Sequence, residues 1–367
     1  MQRRSTIKDV AAKADVSIST VSLVMNERDG VSPDTRKRVL KTAERLGYVA
    51  TGAARQLATR RTGNIGFVVR EDHFTRSEPF YTRVFLGTEF EARHHNQYVL
   101  LTTIPERYEC GKHTPRFLRE RNIDGVLIAG KVDSTFLEEV RGTDMPMVLV
   151  DYDADGATSV MIDNQTGARE AVEHLISSGH ERIAFLGADL QHPSLKERLD
   201  GYRLALAGAG ISQDPSLLFT TLDGKPDRTT GLELGRAVVA SDATAVFCVN
   251  DAVALGVLEV ARRKGRDVPG DLAVIGFDDV SGAADAMPPL STVRVFKEQL
   301  GELALRRLTD LLSESPDHTP RYARTSQRIK ISTELVVRES SLTQSSSTPR
   351  QAEDGRATSQ SRNMENQ

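Results

Sequence analysis

Apolar positions change period along this chain. Over residues 6–47 they recur at helical spacing in short blocks. Ile7, Val10, Ala11 and Ala14 form one inward face, and Thr6 with Asp9 three residues on is a capping-box pair with Asp in place of Glu or Gln. Asp15-Val16-Ser17 reads as a tight polar turn, with Val16 plugging the space between helices. Ser17 then caps a second helix that buries Val21, Val24 and Met25. Ser32-Pro33 opens a third, with Pro at its first helical position. That helix is expected to bury Val39, Leu40, Ala43 and Leu46 and to stop at Gly47. Thr51–Ala58 has helix-forming composition for only about two turns, too few for a stable helix in water, so it is expected to order only when something packs on it.

From Asn64 the pattern becomes short β-rich runs alternating with amphipathic helices. Strands are predicted at Ile65–Val69, Val99–Thr103, Gly125–Ala129, Met147–Val150, Ile183–Gly187, Ala245–Val249 and Ala273–Gly276. Helices are predicted at Phe85–His95, Gly167–Ser177, Leu199–Gly208 and Ala252–Lys264. This alternation predicts parallel sheets with right-handed crossovers. The series restarts near residue 183, which predicts two similar α/β lobes with a cleft between them. The expected organisation is 1–49 helix-turn-helix domain, 50–62 hinge or linker, 63–340 two-lobed body that also dimerises, and 341–367 disordered tail. The last follows from a Ser/Gln/Arg-rich composition with hardly any large apolar residue.

Charge sharpens this division. The net charge is −3, yet residues 1–61 hold 13 Lys and Arg against 6 Asp and Glu, leaving an acidic body. A basic module at one end only fits a phosphate backbone as its partner. Two short helices with a tight turn, the second carrying small polar groups outward, form the helix-turn-helix whose second helix lies in the DNA major groove. The two cysteines, Cys110 and Cys248, make no disulfide framework or metal cluster. No apolar stretch follows Met1-Gln2-Arg3-Arg4 or approaches membrane-span length, so a cytoplasmic, nucleoid-associated protein is expected, without membrane contact.

In order and spacing, several motifs resemble the LacI/GalR family of bacterial transcriptional regulators. They are Thr6-Ile7-Lys8-Asp9-Val10-Ala11, Val16-Ser17 with Thr20-Val21-Ser22, Leu46-Gly47-Tyr48, Ala54-Arg55-Gln56-Leu57 and Asn64-Ile65-Gly66. Further along stand Ile123-Asp124-Gly125-Val126, His174-Leu175 before Gly179-His180, and Arg198-Leu199-Asp200-Gly201-Tyr202. Asn250-Asp251, Gly276-Phe277-Asp278-Asp279 and Thr333-Glu334-Leu335-Val336-Val337-Arg338 complete the series. The resemblance implies an all-α DNA-binding domain joined to a two-lobed, periplasmic-binding-protein-like α/β effector domain. It also implies a homodimer on palindromic double-stranded operator DNA, its affinity controlled by a sugar-like small molecule.

Matched to the family motif, Ile18, Ser19 and Leu23 meet base edges, while Ser17, Thr20 and Ser22 hold phosphates; Thr6, Asn26 and Tyr48 complete the implied DNA-facing set. The family often has Arg at the position of Leu23, where it reads guanine O6 and N7; Leu offers only apolar contact, for instance to a thymine methyl. Leu57 stands where the family's hinge helix wedges a leucine into the minor groove, with Arg55 nearby to follow it. Ala50 replaces a usual Pro there. In the body, the family nominates Phe80, Tyr81, Asp151, Ser194, Arg198, Asn250, Asp251 and Asp278 as effector contacts at the carboxyl ends of strands. Arg, Asn and Asp each hydrogen-bond neighbouring hydroxyls in pairs, and an aromatic ring covers an apolar sugar face.

The family's aromatic near Pro226 is missing, which leaves a non-sugar effector open. The expected function is a sequence-specific transcriptional regulator, in this family most often a repressor. The alternatives are control by a protein partner, or an enzyme with an appended DNA-binding domain. No phosphate loop, nucleophile elbow or metal spacing supports an enzyme, so no catalytic residue, cofactor or metal is expected.

Overall fold

The computed structural model describes residues 5–25, 29–48, 61–74, 80–188, 190–221, 224–313 and 326–342. The expectations for Asn26, Arg55 and Leu57, for residues 50–60 and for the tail from 343 onward fall outside those residues.

The first three helices, α1 (Ile7–Ala14), α2 (Ile18–Met25) and α3 (Pro33–Arg45), enclose a small core of Val10, Ala14, Val21, Val24, Val39 and Ala43. Their ends follow the local chemistry. Thr6 and Asp9 close a reciprocal capping box, and Asp15 takes the left-handed conformation (φ 52°) that ends α1. Ser17 accepts from the Thr20 backbone N–H at 3.0 Å, and Ser32 accepts from that of Thr35 at 3.3 Å. Leu40 departs from expectation: it is 47 % exposed. Helical period alone put it beside Val39, but the two neighbouring helices cover only the Val39–Ala43 side of α3.

The body begins with β1 (Asn64–Arg70), followed by α4 (Phe80–His94), β2 (Tyr98–Ile104), α5 (Arg116–Arg119) and β3 (Gly125–Ala129). Next come α6 (Ser134–Arg141), β4 (Met147–Val150), β5 (Thr158–Ile162), α7 (Asn164–Ser177), β6 (Ile183–Ala188) and α8 (Pro193–Gly208). The chain continues through β7 (Leu218–Thr221), α9 (Arg228–Ala240), β8 (Ala245–Cys248), α10 (Asp251–Lys264), β9 (Ala273–Asp278) and α11 (Ser281–Ala284). It closes with β10 (Ser291–Arg294), α12 (Lys297–Ser313), β11 (Arg328–Ile331) and β12 (Glu334–Val336).

Two six-stranded sheets result. The first, in order β11-β5-β4-β3-β1-β2, is wholly parallel; the second, β12-β10-β9-β8-β6-β7, is parallel except for its β12 edge. Strands buried on both faces read as continuous apolar runs, as in Val126-Leu127-Ile128-Ala129. The order reverses beside β1 and again beside β6, and such switch points open a crevice at the carboxyl ends of the strands.

A single switch near residue 183 does not describe the chain path. It passes between the sheets three times: from β5 into α7, from β10 into α12, and from β11 to β12. Sequence reading missed β5, β7, β10, β11 and β12, because each has only three to five residues with polar and apolar types mixed and takes its identity from the sheet it joins. α12 returns to the first lobe and crosses α4 at glycine contacts: a Cβ on Gly87 would sit 2.0 Å from the Glu298 carbonyl oxygen, and one on Gly301 2.0 Å from that of Val84. Ser341, expected in the tail, is fully buried in the turn Glu339–Ser341, where its hydroxyl donates to Ser291 at 2.7 Å.

Candidate functional site

On the small domain, Ser17, Ile18 and Ser19 are exposed, and Thr20, Ser22 and Leu23 are half-buried. Ile18 stands out, since a 45 % exposed isoleucine opens the second helix. Thr6 spends its hydroxyl on Asp9 at 2.7 Å. Tyr48 differs from the other described members of the expected DNA-facing set: it is 8 % exposed, packed in the three-helix core, and burial raises its phenol pKa.

In the body, a polar cluster occupies the crevice, built from loops that follow strands of both sheets. Asp151 follows β4 in a left-handed conformation (φ 53°), which turns its carboxylate inward. Tyr81, on the first turn of α4, donates to Asp151 at 3.0 Å; Ser194, on α8 of the other lobe, donates to the second oxygen at 2.9 Å. One carboxylate thus joins the two lobes. Burial pushes its pKa up to about 6 despite the hydroxyl donors and the nearby Arg198. Burial and the Asp151 charge together hold the Tyr81 phenol well above its ordinary range. Gly130 makes room, because a Cβ there would lie 2.7 Å from the Tyr81 hydroxyl, and its φ of +75° suits glycine.

Arg198 is the hub of the second lobe. It is 3 % exposed, and its guanidinium lies 3.7 Å from the Phe277 ring centroid. Nε donates to Asn164 Oδ1 at 2.9 Å, Nη1 to the Val249 carbonyl at 2.8 Å and Nη2 to Asp278 Oδ1 at 3.1 Å. Asp278 sits at the end of β9 with φ 109°, outside the range where most side chains are relaxed. Its backbone carbonyl accepts from Lys297 Nζ.

Two expected contacts are employed differently. Asn250 caps α10, accepting from the Val253 N–H at 2.9 Å and donating to the Pro226 carbonyl at 2.6 Å. Asp251 is fully buried; its oxygens take Thr292 Oγ1 at 2.5 Å and the Val280 N–H at 2.9 Å. Sealed behind the crevice, it anchors the loop after β9, and burial followed by the Asp278 charge raises its pKa to about 7. Phe80 packs edge-on against Tyr81 at 4.9 Å but sits half-buried on the far side, toward Lys297.

Sequence reading missed four members. Asn164, fully buried, ties Arg198 to the β5–α7 crossover, a segment where no strand was recognised. His73 stacks on Tyr81 at 5.5 Å and faces His192 of the other lobe at 6.4 Å. Burial lowers the His73 pKa to about 4, and its Nδ1 has no hydrogen-bond partner among the described residues. Lys297 opens α12, whose helical period (Leu300, Ala304, Leu308, Leu312) was a usable signal.

A description of bacterial regulatory proteins of the lacI family matches residues 6–50, and one of a periplasmic binding protein-like domain matches residues 172–341. The transcriptional regulator CelR of Thermobifida fusca is 34% identical over 347 residues, 92% of this chain and 99% of that protein. Catabolite control protein A of Priestia megaterium is 32% identical over 315 residues, 84% and 93% of the two chains. Among solved structures, a lac repressor dimer bound to operator and an anti-inducer superposes with a TM-score of 0.74 at 25% identity, covering 93% of this chain and 100% of that one. A CelR–cellobiose complex superposes at 0.66 with 32% identity, covering 92% and 100%.

Proposed function

This chain belongs to the LacI family of bacterial regulatory proteins, and from that premise we propose that it is a transcriptional repressor whose operator affinity is set by a small molecule bound between the lobes. The observation that carries the reading is the Asp151 bridge, with Tyr81 from one lobe and Ser194 from the other on a single buried carboxylate. A ligand with neighbouring hydroxyls competes for those donors and for the unspent N–H groups of Arg198. It therefore binds one arrangement of the lobes better than another, and only that difference in affinity moves the equilibrium. Going from a 1:99 to a 99:1 population takes about 5.5 kcal/mol of differential binding.

The proposed division of labour places base reading on Ile18, Ser19 and Leu23 and register on Ser17, Thr20 and Ser22. Leu57, with Arg55, wedges the minor groove. Two copies of the chain then meet a palindromic operator in the cytoplasm, with half-sites a helical turn or a multiple apart. The solved CelR–cellobiose complex makes a sugar the first effector to test.

The test selects bound sequences from a random duplex pool with the full chain, then titrates the enriched duplex with and without a panel of mono- and disaccharides. A palindrome should emerge, and at least one ligand should shift its Kd tenfold or more. Leu57→Ala should weaken operator binding, and Leu23→Ala should relax preference at one base pair in each half-site. Selection of no sequence at all would remove the regulatory reading.

A further inference from the structure

Beside the Asp151–Arg198 cluster lies a second concavity of about 200 Å³. It opens where α4 and α12 begin and where the loop after β9 passes between them. Phe80, Arg83, Ser281, Arg294 and Lys297 line it, with the carboxylates of Asp279 and Glu298.

The two carboxylates are already committed. Glu298 pairs with Arg83 at 2.7 Å. Asp279 is held by Arg294 at 2.7 Å and, from behind the pocket, by Arg338 at 2.7 Å. Lys297 is left over. It is only 8 % exposed, and no carboxylate lies within 4.0 Å of its ammonium among the described residues. An ammonium offers three donors and no acceptor, and here one donor is used, on the Asp278 backbone carbonyl. The Phe80 ring, centred 5.8 Å away, is its other near neighbour. The carboxylates of Asp278, Asp251 and Asp279 act on it only from beyond contact distance, and a buried cation that no carboxylate touches is costly unless something nearer supplies the charge. Burial depresses the Lys297 pKa against the opposing pull of those three carboxylates.

We propose that this pocket is an oxyanion subsite in which Lys297 is the charge partner of a carboxylate or phosphate, so that the effector is an acidic small molecule whose polar remainder meets Asp278 and Arg198. This rests on the effector reading above and narrows it to a chemical class. The geometry supports contiguity: Lys297 touches the residue that Arg198 holds, and Phe80 adjoins Tyr81.

The experiment is calorimetric titration of the full chain at fixed ionic strength and pH 7.5. The probes are inorganic phosphate, glucose 6-phosphate, gluconate and glucose. At least one oxyanion probe should bind tenfold or more tighter than glucose. Lys297→Met should abolish that margin, and Lys297→Arg should keep it within a few-fold. Circular dichroism melting confirms that both variants fold. Tight binding of inorganic phosphate alone identifies a free anion as the occupant; preference for the organic probes identifies an acidic metabolite. Glucose binding as tightly as every oxyanion, no oxyanion binding, or an unchanged margin in Lys297→Met would overturn the proposal. Operator selection by the same wild-type preparation separates the two failures, because DNA binding without Lys297-dependent anion binding removes the subsite and leaves the regulator.

Discussion

Arg198→Met is the sharpest perturbation of the hub. It keeps an unbranched side chain against Phe277 but withdraws the donors to Asn164, Val249 and Asp278. Removing one partner of a buried ion pair costs about 3–5 kcal/mol, mostly from the charge left behind. Two neutral acceptors stranded with it add about 1–3 kcal/mol each where no water replaces the donor. The terms overlap, and Asp278 retains 15 % side-chain exposure, so water recovers part of its solvation. The expected loss is about 3 kcal/mol, roughly a hundredfold in the unfolding equilibrium. Since the chain lacks tryptophan, urea unfolding is followed by far-ultraviolet circular dichroism. The lobes can unfold separately, so each transition is fitted on its own, and only that of the second lobe should move. Adding Asp278→Asn to Arg198→Met deletes the stranded charge and should restore about 1–2 kcal/mol. A single-variant loss below about 1 kcal/mol, or no recovery in the double variant, would refute the hub as the organiser of that lobe.

Gly87→Ala puts a methyl 2.0 Å from the Glu298 carbonyl, forcing α4 and α12 apart; a loss of about 1–3 kcal/mol is expected in the first-lobe transition, and wild-type stability would contradict the crossing. Asp251 has a folded pKa near 7, raised above the ordinary 3.8, so its contribution to stability is fully present below pH 3.8 and lost as pH rises through about 7. Asp251→Asn should therefore flatten the decline of melting temperature between about pH 4 and 7, whatever it does to absolute stability; an unaltered slope would count against the assignment. Thr6→Ala removes half of the capping box and should cost the small domain about 1 kcal/mol, read as lower protection of α1 amides in hydrogen exchange. Asn164→Ala should weaken binding of whichever effector the panel identifies, by loosening Arg198, while leaving ligand-free operator affinity unchanged; equal effects on both would mark a purely structural role.

Much of this molecule is local, and what is local was legible in the chain. The Thr6–Asp9 capping box, the Ser17 and Ser32 caps and the three-residue turn depend on neighbours within four positions, so the small domain could be drawn almost helix by helix. The long apolar strands of the body announced themselves in the same way. Leu40 shows the limit: period puts it on a face, but only the packing of α1 and α2 decides how far that face extends. The short strands β5, β7, β10, β11 and β12 carry too little pattern to be recognised alone and exist because a neighbouring strand pairs with them.

The body's site divides along the same line. Motif resemblance nominated Tyr81, Asp151, Ser194, Arg198 and Asp278, and the fold joins them by hydrogen bonds over sequence separations of 43 to 80 residues. Residue type alone could not say that Asp251 is sealed behind the crevice or that Tyr48 is core. Nor could it say that Lys297 has no carboxylate within 4.0 Å among the described residues. Those facts depend on which partners arrive from distant segments and how much water they exclude. What the sequence by itself determined was the kind of protein and the residues with chemistry to offer; burial and pairing, which only the tertiary structure decides, determined which of them are free to offer it.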